Sequence, residues 1–309
     1  MCAFSLAAEL PKYGPEGTAA PPSPAEAEAY CKRLATSHYE NFVVAGVLVP
    51  RALRRHFYNV YAYCRWSDDL ADEVGDAERS LQLLDWWGAE LRACYAGQTR
   101  HPVFVALRGT ITEFDIPPEP FLNLLTAFRQ DQNQTRYETF DDLLGYCRNS
   151  ADPVGRLVLY LARSHDEQLL RWSDSICTGL QLANFWQDVA RDFAKGRVYV
   201  PQRDLAEFRC TEAELGQRSA SALVRRVLKH EVDRAEKFLR DGLPLIDAVP
   251  RELSGSIWMF AHGGLRILDK IRRQDYDVLT HRPKVSKVDQ LRLLAGCLWR
   301  NKIRGGGLR

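Results

Sequence analysis

The sequence predicts an all-α protein, and three observations predict it. From Ala25 onward apolar residues recur at helical spacing, and β-branched runs alternating with polar residues are nearly absent. Proline and glycine fall between the helical stretches: Pro50, the Pro117-Pro118 pair, Gly196, Pro250 and Pro283. The expected helical stretches are 25–37, 51–73, 78–96, 119–132, 140–148, 153–171, 173–193, 203–207, 211–241, 254–275 and 286–300. Residues 1–25, rich in Ala, Pro and Gly, read as a loose tail. Nothing between 26 and 300 reads as a linker, so these residues are expected to form one helical domain, followed by a basic tail over 301–309.

Composition narrows the function classes. A chain of 309 residues with 46% hydrophobic and 27% charged residues can bury a large core and is an ordinary globular sequence. A net charge of +2 offers no general attraction to nucleic acid, and no nucleic-acid partner is expected. The eight cysteines lie far apart, without a C-x-x-C pair, and read as reduced thiols of a cytoplasmic protein. No run reaches the ~18–20 apolar residues of a membrane span, and the N-terminus lacks an export signal. The basic stretch from Trp299 to Arg304 reads as a solvated tail, with peripheral contact to a membrane surface as the other reading.

Two aspartate-bearing helices carry the chemistry. The first reads HFYNVYAYCRWSDDLADE. At 100° per residue Tyr61, Arg65, Asp68 and Asp72 fall within an arc of about 60°. An isolated D-x-x-x-D pair is usually a solvated helix face, and the second helix is what changes the reading. It reads SICTGLQLANFWQDVARDFAKGR, and between Ile176 and Val189 its only carboxylate is Asp188. Such a helix is expected to be buried nearly all round, with Gln181, Asn184, Asp188 and Asp192 on one stripe. A buried carboxylate needs a cation, a proton or a metal. Two facing stripes of hard oxygen ligands would suit Mg²⁺, which keeps waters and accepts phosphate oxygens. Di-iron chemistry would want Glu-x-x-His, zinc would want clustered His and Cys, and nucleotide folds would want a glycine-rich phosphate loop; none of these is present. His38, His165 and His262 read as structural histidines.

These residues resemble the squalene and phytoene synthase family, the head-to-head trans-isoprenyl diphosphate synthases, over roughly residues 30–290. The first aspartate motif of that family is matched by Tyr61 to Glu73. The second is matched by Gln181 to Asp192, followed by Lys195-Gly-Arg197-Val-Tyr199-Val-Pro201. Gly145-Tyr146-Cys147 through Pro153-Val154-Gly155 resembles the family's kinked helix lining the cavity. The resemblance implies a helical isoprenoid synthase bundle around a central cavity. It also implies Mg²⁺ on Asp68 and Asp72 from one wall and on Asn184, Asp188 and Asp192 from the other. Arg65, Arg197, Tyr199 and, more weakly, Arg282 would hold the diphosphate of a prenyl diphosphate substrate, with Gln181 beside them. Tyr61 and Tyr146 would flank the reacting carbons.

Two departures sharpen the expectation. Where many members begin His-Ser-x-Ser-Phe, this chain has His38-Tyr39-Glu40-Asn41-Phe42, and where many carry arginine before the central aspartate, it has Gln187. A hydroxyl and a cation for a second diphosphate are thereby lost. Both variants resemble the hydroxysqualene synthases of bacterial hopanoid pathways. The expected reaction is therefore conversion of presqualene diphosphate and water to hydroxysqualene, with His38, Tyr39 and Phe42 at the substrate and Asn41 or Glu40 positioning the water. Phe185 and Trp186 are available to shelter the cation, or are core. The alternatives are condensation of two farnesyl or geranylgeranyl diphosphates, and a non-catalytic helical assembly factor, which should have lost the aspartates retained here. Chain length of the substrate and oligomeric state are not legible in the sequence.

Overall fold

The computed structural model describes residues 5–37 and 51–305, with side chains through Arg300. His38, Tyr39, Glu40, Asn41 and Phe42 lie outside the described residues. The helices are α1 (Leu6–Tyr13), α2 (Pro24–Ser37), α3 (Arg54–Asp72), α4 (Ala77–Tyr95), α5 (Pro102–Phe114), α6 (Glu119–Gln130), α7 (Phe140–Ser150), α8 (Asp152–Leu161), α9 (Glu167–Ala194), α10 (Gln202–Glu207), α11 (Ala222–Gly242), α12 (Leu245–Ala248), α13 (Arg251–Arg273) and α14 (Lys287–Gly305). Among the described residues there is no strand, only an isolated parallel bridge between Arg136 and Val198. The all-α expectation is met.

Several boundaries differ from the expected stretches, for local reasons. Residues 1–25 are not loose throughout: α1 forms there and buries Leu6. Helix α5 lies outside the expected stretches because its polar stripe is narrow, exposing only Arg108, Gly109, Thr112 and Glu113 in an otherwise mainly apolar segment. Eight of its thirteen residues are buried, and His101 starts it by accepting a hydrogen bond at Nδ1 from the Val103 amide (3.1 Å). The stretch expected over 153–171 ends at Leu161, and Asp166 caps a new helix by accepting from the Leu169 amide. Helix α9 then runs unbroken for 28 residues.

The chain divides into two compact units. One comprises Met1–Asn133 with Arg156–His165, the other Gln134–Gly155 with Asp166–Arg309. In the first, α3 packs against α2, α4, α5 and α6. Trp66 of α3 stacks on Trp87 of α4 with ring centroids 5.4 Å apart, and the buried His101 ring meets both edge-on. Burial holds His101 neutral, well below its ordinary pKa. The Trp66 indole donates to the Tyr30 hydroxyl (3.1 Å), and Tyr63 donates to the Phe121 carbonyl (2.9 Å), so these aromatic bodies are buried with those polar ends satisfied. The result fixes the rotation of α3, and with it which residues point away from the core.

In the second unit α9 is the axis, packed against α11 and α13. The helices approach closely at Gly179, where an added Cβ would come within 2.8 Å of the Leu239 backbone nitrogen, and at Gly242, where one would come within 2.7 Å of the Trp172 carbonyl oxygen. Gly155 permits a similar approach of α8, since a Cβ there would lie 2.3 Å from Ser173 Oγ. Asp152 accepts a buried hydrogen bond from Thr178 (2.8 Å) at the same crossing. Gly179→Ala should therefore cost about 1–3 kcal/mol through overpacking against a backbone that cannot yield. Gly263→Ala, where a Cβ meets nothing within 4 Å, should be neutral or stabilise by up to about 1 kcal/mol. Urea unfolding midpoints of the two variants check this contrast.

Candidate active site

On α3 the predicted stripe is in place. Tyr61 is half-buried, Arg65 is partly buried, and Asp68 and Asp72 point outward from a helix whose opposite side holds Ala62, Tyr63, Trp66 and Leu70. The guanidinium of Arg65 is already engaged. It donates to Asp68 (3.2 Å), to Asp69 (3.1 Å) and to Glu73 (3.2 Å). Asp69 was not among the expected site residues, yet its side chain is only 1% exposed and it anchors this fan. Its signal in the sequence was the i,i+4 spacing from Arg65. Burial pushes the Asp69 carboxyl up to about 8, against the pull of Arg65. Asp68 is raised as well, first by burial and then by Asp72. One guanidinium therefore faces the carboxylates of Asp68, Asp69 and Glu73, with Asp72 a turn away from Asp68, and the cluster carries excess negative charge.

The α9 stripe is more exposed than expected at one point. Asn184 is open to solvent, Gln181 and Asp192 are partly buried, and the Asp188 side chain is 12% exposed. Asp188 is not left uncompensated, as the sequence suggested. Arg282 grips it with two parallel hydrogen bonds, Nε to Oδ1 at 2.5 Å and Nη2 to Oδ2 at 2.7 Å. Such bidentate pairs are the strong form of the carboxylate–guanidinium contact. Arg191 stands further off, 3.6 Å from the same carboxylate. Asp192 is the group left under strain. Burial and the neighbouring Asp188 charge push its carboxyl up to about 7, while Lys195, Arg197 and Arg282 pull the other way.

Beyond α9, Gly196 adopts a left-handed conformation (φ 76°) that ends the helix and reverses the chain. The following segment is tied down by the Val198 amide donating to the Thr135 carbonyl (2.9 Å) and the Gln202 amide to the Tyr137 carbonyl (2.9 Å). This strap positions Arg197 and Tyr199. Tyr199 stacks on Phe185 at 3.8 Å, and Tyr146 joins the cluster 6.1 Å from Tyr199 and 6.2 Å from Phe185. Arg197, Tyr199, Phe185 and Asp192 share one niche. The kink expected near Tyr146 appears as the break at Ala151 between α7 and α8. Trp186 is fully buried and belongs to the core, and Gln187 is also buried, about 100° around the helix from Asp188. A larger cleft of about 450 Å³ between Pro24, Arg108 and Glu113 contains none of the expected site residues.

These donors suit a hard divalent cation. The two stripes offer carboxylate oxygens and the amides of Gln181 and Asn184, with no imidazole or thiol, and Asp68 and Asp192 are raised first by burial and then by a neighbouring aspartate whose charge a cation would offset. A third group, Asp204, His230 and Glu231, brings ligating atoms within 4.8 Å of one another. There Arg234 already supplies the positive charge, 2.5 Å from Asp204 and 3.1 Å from Glu231, and burial pushes Glu231 up to about 9. That group ties α10 to α11 and differs in kind from the two stripes.

The squalene/phytoene synthase family model matches residues 20–289. The chain belongs to that family. Among its relatives, the hydroxysqualene synthase of Rhodopseudomonas palustris is 37% identical over 68% of this chain and 71% of its own. The phytoene synthase of Arthrospira platensis is 31% identical over 82% of this chain and 87% of its own. The solved structure of squalene synthase HpnC from Alicyclobacillus acidocaldarius is 46% identical, covers 82% of this chain and 95% of its own, and superposes with a TM-score of 0.79. The all-α isoprenoid synthase fold follows from that match.

In the metal-free enzyme the Asp192 carboxyl should titrate near neutrality, far above an ordinary aspartate. Replacing Asp188 by Asn removes the neighbouring charge and should lower the Asp192 pKa. Carboxyl ¹³C chemical shifts followed over pH 4–9 measure both values; an ordinary Asp192 titration in the parent protein would contradict the electrostatic description.

Proposed function

We propose that this enzyme converts presqualene diphosphate and water to hydroxysqualene and diphosphate. The observation that carries the reading is Gln187, a neutral, buried residue of the second aspartate helix where condensing relatives offer a cation. The 37% identity to hydroxysqualene synthases of Rhodopseudomonas palustris and Sinorhizobium fredii supports it. In this reading Asp68, Asp72, Asn184, Asp188 and Asp192 would hold Mg²⁺, which would supply Lewis-acid stabilisation of the leaving diphosphate.

The chain's own residues do the rest. Arg65 and Arg197 bind the diphosphate oxygens, and Tyr199, fixed by its stack on Phe185, orients Arg197's neighbourhood. Arg282, held on Asp188 in the structure, is the further cation within reach of the same oxygens. The bond between the cyclopropylcarbinyl carbon and the diphosphate oxygen breaks, and the diphosphate leaves with the electron pair. Tyr61 and Tyr146 present ring faces to the cation as it rearranges. A water oxygen, positioned by Asn41 or Glu40, forms the new carbon–oxygen bond and gives up its proton to the departed diphosphate. Each diphosphate contact that exists only in the transition state is worth about 3 kcal/mol. The second reading, condensation of two prenyl diphosphates, draws on the phytoene synthase match, which spans more of the chain.

Running the reaction in ¹⁸O-labelled water with presqualene diphosphate, Mg²⁺ and no NADPH should place the label in the alcohol product. Efficient consumption of farnesyl or geranylgeranyl diphosphate alone, giving an unlabelled hydrocarbon, would move the assignment to the condensing enzymes. Asp68→Asn and Asp188→Asn should each lower kcat by about a hundredfold or more while leaving the unfolding midpoint near that of the parent. EDTA should abolish turnover, and Mg²⁺ should restore it better than Zn²⁺. Near-parental kcat in either variant would remove that residue from the proposed machinery.

A further inference from the structure

Helix α14 is built inside out. Seven large hydrophobic side chains are exposed among the described residues, and five of them lie on this one helix: Val288, Leu291, Leu294, Leu298 and Trp299, the last 69% exposed. At 100° per residue the five occupy an arc of about 140°. The polar anchors lie on the other side. Asp289, the only carboxylate of the helix, is 3% exposed and accepts from Arg266 (2.8 Å) and Lys270 (2.7 Å) on α13. Arg300 likewise turns inward and donates to Ser254 (2.9 Å), while Gly296 lies against the Trp258 ring. An ordinary surface helix buries its leucines and exposes its charges. Here buried ion pairs hold the helix so that its apolar face looks outward, and an exposed contiguous apolar face marks an interaction surface.

We propose that this face docks the enzyme on an anionic membrane surface, with the leucines and Trp299 at the level of the lipid headgroups. The charge around the stripe selects the occupant. The exposed ionisable residues on and just before the helix are Lys284, Lys287 and Arg292, all basic, and the sequence adds Lys302 and Arg304. A second copy joined through the same face would set those cations against their own equivalents across a twofold axis. An anionic bilayer complements them, and tryptophan is favoured at the membrane–water boundary. No helix among the described residues is long and apolar enough to cross a membrane, which fits a helix lying along the surface. The inference does not depend on which prenyl diphosphate is consumed.

Flotation of the full-length protein with vesicles is the test. The parent should float with an equal mixture of phosphatidylcholine and phosphatidylglycerol, more weakly with phosphatidylcholine alone, and less at high salt. Combined Leu291→Ser, Leu298→Ser and Trp299→Ser should weaken binding at least about tenfold while leaving the thermal midpoint unchanged, because these side chains already face water. Lys287→Glu with Arg292→Glu gives a second, fold-neutral variant that should lose the preference for the anionic mixture. Failure of the parent to float with either vesicle would overturn the proposal, as would parental binding by both variants. A dimer in sedimentation velocity that the serine variant dissociates, without vesicle binding by the parent, would assign the face to a second copy instead.

Discussion

Everything distinctive in this molecule follows from placing carboxylates on helices whose other faces are committed to a core. A carboxylate leaving water must find compensation, and a rigid helix limits where that compensation can come from. On α3 it comes from within the helix, because Arg65 is one turn from Asp68 and Asp69 and two from Glu73. On α9 it comes from a residue 94 positions further along the chain, Arg282, which takes both oxygens of Asp188. On α3 one guanidinium faces three carboxylates, and on both helices an aspartate beside a second one, Asp68 beside Asp72 and Asp192 beside Asp188, has its carboxyl raised, first by burial and then by that neighbour. Clustered hard anionic oxygen is what a divalent cation with a phosphate-bearing ligand is suited to meet.

That arrangement depends on packing for its precision. The rotation of α3 is set by aromatic contacts on its far side, above all Trp66 against Trp87 and Tyr63 against Phe121. The position of α9 is set by small residues at the crossings, Gly179 under Leu239 and Gly155 under Ser173. Both helices are thus held largely by apolar or small-residue contacts, while the polar stripes carry their own pairings, Arg65 with Asp68 on α3 and Arg282 with Asp188 on α9. Asp69, buried and bonded to Arg65, helps to hold that guanidinium in place.

Helix α14 applies the opposite rule. Its anchors are the ion pairs of Asp289 and the hydrogen bonds of Arg300, and its leucines are spent on the outside. A carboxylate turned inward costs desolvation, and Arg266 and Lys270 together offset it. The same physics that gathers charge at the aspartate stripes here releases an apolar face for contact with something other than this unit's own core.

The sequence by itself determined the helical class, the two aspartate stripes and the family. Those features depend on periods of three to four residues and on motif spacings, which local geometry fixes without reference to the rest of the chain. It did not reveal α5, whose narrow polar stripe of Arg108, Thr112 and Glu113 is a weak signal of its period, nor α1, hidden in a stretch whose composition reads as loose. Asp69 lies about 100° around the helix from Asp68, off the stripe, so the stripe itself gives no sign that it anchors Arg65. Only the tertiary structure decided that Asp188 is paired with Arg282, that burial beside Asp188 raises the Asp192 carboxyl, and that Trp186 belongs to the core. The physical reason is that compensation of charge and burial of a face depend on which distant segment is packed alongside, and that is a property of the folded chain.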